Sequence, residues 1–330
     1  MILVQIDGKP RDEDVHTWSD YIELLALVNL DRVCGHEFVL DRLCDSPEDE
    51  SLTEDDEDKS SEDQELDKTF SQKQSRMRER ASIKLSDAFT LCQWRNAVYG
   101  EEYPYEVDLD SREIRLKVEL SEAHYSYLFL LLCGNQPFVK KSNNLLTDGF
   151  EKFCTFVFSR VVPQGSEVHV FGKAAVTRYK GTKLEKLKAL CSDLRGRLIA
   201  DGQAFRKGDN GDGGIDIVAW HGLNDSAMNI PVSLAQCACS RGDWVKKQAE
   251  ILPDFFANHL STNPPWVPYM FIPICFRSTS GTWAYSSEVK NVVLMDRLRI
   301  IKNCFDFQAA NDVCTAKKLV QEAVGSEEVV

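Results

Sequence analysis

Apolar residues recur at helical spacing in two long stretches of the chain, Ser121–Cys133 and Leu145–Val162. Shorter runs that are rich in β-branched and aromatic residues, with turn-forming residues at their ends, predict strands. These runs are Ser166–Phe171, Gly214–Trp220, Val232–Cys239, Pro268–Phe276 and Asn291–Met295. The pattern therefore predicts a protein of the α/β (α+β) class.

The same pattern divides the chain into four parts. Residues 1–45 predict an N-terminal helical segment, and residues 73–134 a small α/β accessory domain. Residues 135–330 hold the strand runs and form the main domain. Between the first two parts, residues 46–72 are acidic and of low complexity, which predicts a disordered linker because such a run buries too little apolar area to offset its ordering entropy. An acidic tail that mimics DNA is the alternative interpretation.

The negative net charge is concentrated in one segment, so it does not describe the rest of the chain. The chain carries a net charge of −13, but residues 46–68 alone hold 12 acidic residues and 2 lysines, a local charge of −10. The remainder of the chain therefore carries only −3 and can still present local basic patches. Without a strongly basic stripe, we do not expect tight DNA binding by this chain alone.

Cysteine usage and hydropathy bear on the compartment. The 11 cysteines are scattered, odd in number and mostly inside apolar runs, so we expect reduced, buried thiols in a cytoplasmic protein. No apolar run approaches the roughly 20 residues that span a bilayer, and we expect no membrane association. The chain also lacks a G-x-x-x-x-G-K-[ST] loop, so any coupling to ATP would need another chain.

The candidate chemistry lies between Gly208 and Lys247. A loop with four glycines leads into the run G-D-G-G-I-D-I-V-A-W, in which Asp216 stands in an otherwise apolar strand. An isolated carboxylate in that setting needs a cation partner, either a metal ion or a basic side chain. The next strand carries a lone polar residue, Gln236, and if the two strands pair as a hairpin, Asp216 and Gln236 share a face near its open end.

Two acids on helices and one lysine complete the candidate set. Glu151 lies among large apolar residues of the Leu145–Val162 helix, where an acid is costly without a partner; the alternative is a boundary residue that reaches water. Glu185 stands in the first turn of the next predicted helix, where an acid also balances the helix dipole. Lys246 opens another predicted helix, where a cation is unfavourable for the dipole, whereas Lys247 is better interpreted as a surface residue.

Over residues 145–304, this pattern resembles the PD-(D/E)xK nuclease superfamily, in particular Mrr-type and restriction-endonuclease-like proteins. The resemblance depends on G-D-G-G-I-D-I-V-A-W and S-L-A-Q-C-A-C. It implies a restriction-endonuclease-like core of a mixed β-sheet flanked by helices. It also implies a Mg²⁺ (or Mn²⁺) site made by Asp216, Gln236 and Glu151, with Glu185 as the alternative helix acid.

The chain departs from the family at the lysine. Family members commonly carry a lysine two residues after the glutamine, where this chain has Ala238. Either the site is inactive or the lysine has moved into the following helix, and Lys246 is the candidate for that role. Candidate contacts to nucleic acid are Lys247, Arg241, Arg297 and Arg299; simple exposure to solvent explains Arg297 and Arg299 equally well.

The function implied by the resemblance is Mg²⁺-dependent hydrolysis of DNA phosphodiester bonds. The context is that of a prokaryotic restriction or anti-phage effector, acting with a sensor or with an ATPase or helicase subunit. RNA cleavage stays open, as does a homo-oligomeric state. The alternative function is a catalytically inert nuclease-fold module that binds nucleic acid or scaffolds a defence complex.

Overall fold

A computed structural model describes the chain except for residues 1–2, 5, 7–8, 11–13, 45–62, 141–142, 173–177, 207–208, 210, 212 and 326–330. Two compact units make up the structure. The larger unit consists mainly of Leu120–Phe276 and Trp283–Ala323, and the smaller unit consists mainly of Val4–Glu119 with Arg277–Thr282.

These units divide the chain differently from the predicted domains. The predicted segments 1–45 and 73–134 lie largely together in the smaller unit, but the helix that follows Ser121 belongs to the larger one. Within the predicted linker, residues 46–62 lie outside the described residues. Residues 63–72 are helical, in contrast to the predicted disorder.

The smaller unit combines helices with a three-stranded antiparallel sheet. After a two-residue strand near the start of the chain, β1 (Leu3–Val4), its elements are α1 (Val15–Val28), β2 (Val33–Gly35), α2 (His36–Cys44), α3 (Asp63–Tyr99), β3 (Tyr105–Asp108) and β4 (Glu113–Leu116). The strand order is β2-β4-β3. Helices α1 and α2 both pack against α3, and α1 is buried on almost every side.

The larger unit contains the remaining elements of the described chain. They are α4 (Glu122–Gly134), β5 (Val139–Lys140), α5 (Asn143–Val161), β6 (Glu167–Val170), α6 (Lys183–Asp193), β7 (Arg197–Leu198), β8 (Ile217–Trp220), β9 (Val232–Cys237), α7 (Trp244–Lys247), β10 (Leu260–Ser261), β11 (Val267–Phe271), β12 (Val293–Met295), α8 (Arg297–Lys302), α9 (Phe307–Cys314) and α10 (Ala316–Val324).

A mixed five-stranded sheet organises this unit, with the strand order β12-β11-β9-β8-β6. Strands β6, β8 and β9 pair antiparallel, whereas β9, β11 and β12 pair parallel. A mixed sheet with helices agrees with the predicted α/β (α+β) class.

Helix α5 covers the part of the sheet that carries the candidate residues. Its apolar residues recur every three or four positions and are fully buried; they are Leu146, Phe150, Phe153, Cys154, Val157 and Phe158. The helix contacts β6, β8 and β9 along this face. Val218 and Trp220 of β8 pack into an apolar cluster with α6 residues, so every residue of β8 is buried. That packing explains why the run after Asp216 is continuously apolar.

Helix α4 begins as the sequence predicts. Ser121 is its N-cap and accepts a hydrogen bond from the backbone N–H of His124, while the His124 ring accepts one from the Ser121 backbone N–H. Among the described residues, no helix has the length and apolar character needed to cross a membrane.

Candidate functional site

The antiparallel pairing of β8 with β9 sets the position of Asp216. The ladder matches Ile217 with Ala235, and the Asp216 backbone N–H donates to the Ala235 carbonyl at 3.0 Å. Asp216 directly precedes this first paired residue, and Gln236 directly follows its partner Ala235. The hairpin on which the predicted shared face depends is therefore present, and both side chains line the same cavity.

Backbone hydrogen bonds hold Asp216 on both sides. Its Oδ2 accepts from the backbone N–H of Cys237 at 2.7 Å, and its carbonyl accepts from Phe171 and Gly172. Asp216 comes directly before β8, which begins at Ile217 and not at the predicted Gly214. The carboxylate is therefore fixed at the entrance of the strand, where the sheet opens to solvent.

Gln236 is the most buried polar residue at this edge, with 4% of its surface exposed. Its Nε2 donates to Oε2 of Glu250 at 2.9 Å. Its Oε1 is buried and has no hydrogen-bond partner among the residues that the structure describes. A buried amide oxygen in that state costs about 1–3 kcal/mol, so this atom is suited to an incoming donor or cation.

Glu151 of α5 lies in the same electrostatic environment as Asp216. Burial, followed by a hydrogen bond with Cys154, raises the pKa of the Cys237 thiol well above its usual value, and the charges of Asp216 and Glu151 add to the rise. Glu151 and Asp216 also line the same cavity.

These side chains line one open cavity of about 900 Å³. Its wall includes Glu151, Asp216, Gln236, Lys247 and Glu250. Asp148 and Lys152 of α5 line it as well, so four acids, two lysines and three amides surround a volume large enough for a polar ligand with its water. Asp148, Lys152 and Glu250 were not among the predicted site residues.

Two glycines just before Asp216 adopt a left-handed backbone, and one of them, Gly214, lines the cavity. Gly213 and Gly214 have φ angles of +74° and +88°, in the region that favours glycine. A Cβ at Gly214 would lie 2.9 Å from both Cβ and Oε2 of Glu250. The glycine at position 214 is therefore required both by its backbone angle and by its contact with Glu250.

Of the two adjacent lysines of α7, Lys247 lines the cavity and the predicted Lys246 does not. Trp244 is buried in an apolar cluster and fixes the rotation of the single-turn helix α7. Lys247 follows three positions later and shares that inward face, whereas Lys246 points away and is exposed. The structure therefore does not place the predicted Lys246 at the cavity.

Glu185, the alternative helix acid, has a different task. Its carboxylate accepts hydrogen bonds from the Thr182 backbone N–H and hydroxyl, as the third residue of a capping box at the start of α6. The bond from the Thr182 backbone lowers the pKa of Glu185. Because it caps its own helix and is not part of the cavity wall, it does not fit the role of third ligand.

The three predicted arginine contacts to nucleic acid are engaged within the protein. Arg297 is fully buried, donates to the Pro273 carbonyl at 2.8 Å and stacks on the Tyr127 ring, so the prediction for Arg297 is wrong. Arg299 donates to the Leu294 carbonyl and lies 4.8 Å from the centre of the Trp283 ring.

Arg241 also has internal partners. It donates to the Gly134 carbonyl and to the Asn135 side chain, tying the segment after β9 to the end of α4. These bonds hold Arg241 and Arg299 as packing residues. Of the predicted contact residues, Lys247 alone lines the cavity.

The donor chemistry of the cavity favours a hard cation. Carboxylate and amide oxygens suit Mg²⁺ and Mn²⁺, which bind few protein ligands and keep several waters. Within the described part of the chain, no three His, Cys, Asp or Glu side chains form a metal-binding group by themselves. A cation at this edge would therefore depend on the Gln236 oxygen and on water, and the buried Oε1 has no other hydrogen-bond partner among the described residues.

Comparisons with known proteins assign no family to this arrangement. No family model, no curated protein and no solved structure matches the chain.

Proposed function

We propose that the larger unit is a divalent-cation-dependent endonuclease that hydrolyses DNA phosphodiester bonds and has a PD-(D/E)xK-type core. One observation carries the proposal. Asp216, directly before β8, and Gln236 of the paired strand β9 line one cavity together with Glu151 and Lys247, and the buried Gln236 Oε1 has no hydrogen-bond partner among the described residues.

The roles of the residues follow from their chemistry. Asp216, Glu151 and the Gln236 oxygen would hold the cation, and Asp216 is pre-oriented by the Cys237 backbone N–H. Bound Mg²⁺ or Mn²⁺ supplies an activated water and neutralises charge on the scissile phosphate. Lys247 would add a positive charge against the same phosphate as the phosphorus–oxygen bond breaks.

The environment of Ala238 supports a displaced lysine. Ala238 occupies the position of the usual family lysine, but it is 2% exposed and belongs to the apolar cluster around Trp244 and Met270. A lysine at this position would bury an ammonium group among apolar side chains, which is unfavourable. Lys247, nine positions later, brings the charge to the cavity from α7.

The charge of the chain bears on its substrate and on its partners. Apart from its strongly acidic segment the chain is nearly neutral, so electrostatic attraction to DNA is weak and a partner subunit is needed for tight binding. We propose a prokaryotic restriction or anti-phage effector that works with a sensor or with an ATPase or helicase subunit. RNA is the alternative substrate, because the same residues would act on either backbone.

The alternative function, an inert nuclease-fold module, is favoured by the missing strand lysine. Such a module would keep the sheet and the cavity but would not hydrolyse phosphodiesters. It predicts that substitutions at Asp216 and Lys247 leave every nuclease assay unchanged.

Incubation of the purified protein with supercoiled plasmid DNA and, separately, single-stranded RNA tests the proposal in Mg²⁺ and in Mn²⁺. We expect cleavage by the wild type and a loss of roughly 100-fold or more in Asp216→Ala and in Lys247→Ala, the magnitude typical for removing one transition-state contact. Lys246→Ala is the matched control, because it removes the same charge from the neighbouring exposed position.

The activity of Lys246→Ala should stay within about twofold of wild type, because this is a surface change outside the cavity. A wild-type protein that cleaves neither substrate with either cation would overturn the proposal in favour of the inert module. Activity that survives Asp216→Ala would do the same. Cleavage of RNA alone would replace only the substrate.

A further inference from the structure

Glu250 lies on a rigid support next to the candidate cation site. It belongs to a 3₁₀ turn, Gln248–Ile251, that directly follows α7. The fully buried side chain of Gln248 donates to the carbonyls of Val245 and Glu288. The other end of the turn is held by the Trp266 ring N–H, which donates to the Ile251 carbonyl at 2.9 Å.

The glycine loop fits against the same side chain. The backbone of Gly214 passes so close to Glu250 that any Cβ there would collide with it. Its φ of +88° permits that path for glycine alone. Glu250 is therefore held between a fixed turn and the loop that delivers Asp216.

The Gln236 side chain donates a hydrogen bond from Nε2 to Oε2 of Glu250. An amide that rotates by half a turn exchanges its oxygen and its NH₂ group, which have opposite polarity. A carboxylate only accepts hydrogen bonds, so Glu250 selects the orientation in which the NH₂ group faces it. The amide oxygen is then directed away from Glu250.

We propose that Glu250 is a positioning residue that locks the Gln236 amide with Oε1 available to a divalent cation. This inference rests on the proposed function, because it concerns the same cation site. Without Glu250 the amide samples both orientations, and in one of them its NH₂ group faces the cation and repels it. Partners of this kind typically change metal affinity by about 10–100-fold.

Three variants test the role. Glu250→Ala removes the acceptor, whereas Glu250→Gln keeps an acceptor oxygen but removes the charge. Asp254→Ala is the matched control, since Asp254 is an exposed acid on the next 3₁₀ turn. If the alanine variant does not fold, Glu250→Met replaces it, because methionine keeps the volume of the stem without an acceptor.

Mn²⁺ binding, measured by electron paramagnetic resonance and calorimetry, is the primary readout, and cleavage across a Mg²⁺ titration is the second. We expect Glu250→Ala to weaken Mn²⁺ binding by about 10–100-fold, with activity largely recovered at high Mg²⁺. Glu250→Gln should bind within about threefold of wild type, because a neutral acceptor can keep the amide oriented. Asp254→Ala should match the wild type.

Two outcomes overturn the positioning role. Equal losses in Glu250→Ala and Glu250→Gln would make Glu250 a direct ligand, and unchanged binding in both would give it no role. Failure of the proposed function looks different. In that case the wild type does not bind Mn²⁺, or Asp216→Ala binds it as well as the wild type.

Discussion

Each of the two units contains a cluster of polar side chains. The clusters differ in which groups satisfy their charges and hydrogen bonds. In the smaller unit, Arg95 lies 2.8 Å from Asp20 Oδ1 and 2.7 Å from Glu23 Oε1, and all three residues are fully buried. The hydroxyl of Tyr103 also donates to Glu23 Oε1 at 2.8 Å. This cluster joins α1 to α3 with charges and donors from the protein itself.

The cluster of the larger unit is built from oxygen acceptors around a cavity. Its hydrogen bonds to the described chain orient Asp216 and Gln236, but they do not use the Gln236 Oε1 atom. The sheet thus holds a buried acceptor without a hydrogen-bond partner among the described residues, at some cost in stability. Buried polar groups that complete one another indicate architecture, whereas acceptors fixed around a cavity indicate a ligand.

We expect the largest loss of stability when the cluster of the smaller unit loses its arginine. Arg95→Met should lower the free energy of unfolding by about 3–5 kcal/mol, because it leaves two carboxylates buried without their counter-charge. Urea unfolding measured by circular dichroism gives the value. Arg78→Met is the matched control, since the Arg78 ion pair with Asp41 is solvent-exposed and should contribute less than about 1 kcal/mol. Equal losses in the two variants would contradict the distinction between the clusters.

At the cavity, we expect substitution of Gln236 to affect function and to leave stability nearly unchanged. Gln236→Met keeps the length of the side chain, removes the buried oxygen and loses one hydrogen bond to Glu250. The two effects nearly cancel, so we expect the free energy of unfolding to change by less than about 1 kcal/mol. Mn²⁺ binding and cleavage should nevertheless be lost. If unfolding shows a loss as large as that of Arg95→Met, Gln236 is an architectural residue.

Prediction from the sequence works best where local pattern and tertiary structure agree. The cap at Ser121, the apolar face of α5 and the hairpin that pairs β8 with β9 all follow from residues close together in the chain. The acidic segment behaves differently. Its composition predicts disorder, yet α3 begins at Asp63, as its Gln, Glu and Lys residues permit, being good helix formers.

The parts of the site that the sequence analysis missed depend on distant contacts. The run after Asp243 predicts a continuous helix, but the helix ends at Lys247, and the buried Gln248 side chain bonds to Glu288 some forty positions later. That break turns Glu250 toward Gln236. The choice between Lys246 and Lys247 likewise depends on how Trp244 packs, which no local pattern encodes.

A third cluster is exposed to solvent and paired, and we expect its substitution to change stability least. Glu122 at the start of α4 accepts from Lys317 Nζ at 2.7 Å and from Asn311 at 2.9 Å, and the bond from Lys317 does most to lower its pKa. A depressed pKa in the folded state stabilises the protein above the ordinary value of 4.5, and this stability disappears as the pH falls through the folded value. Because the pair is exposed, its contribution is at most about 1 kcal/mol.

Glu122→Gln should therefore be less stable than the wild type at pH 7, and the difference should vanish as the pH falls below 4.5 and through the lowered pKa of Glu122. Thermal unfolding across that pH range measures it, with Glu119→Gln as the control at a neighbouring exposed acid. Parallel pH profiles for wild type and Glu122→Gln would contradict the assignment. If the difference vanishes, solvent access explains how strongly the carboxylates of the three clusters stabilise the fold. A carboxylate stabilises the fold strongly when it is buried and paired, as beside Arg95, and weakly when it is exposed, as at Glu122. At the open cavity, the carboxylates stabilise the fold little and are available to a ligand.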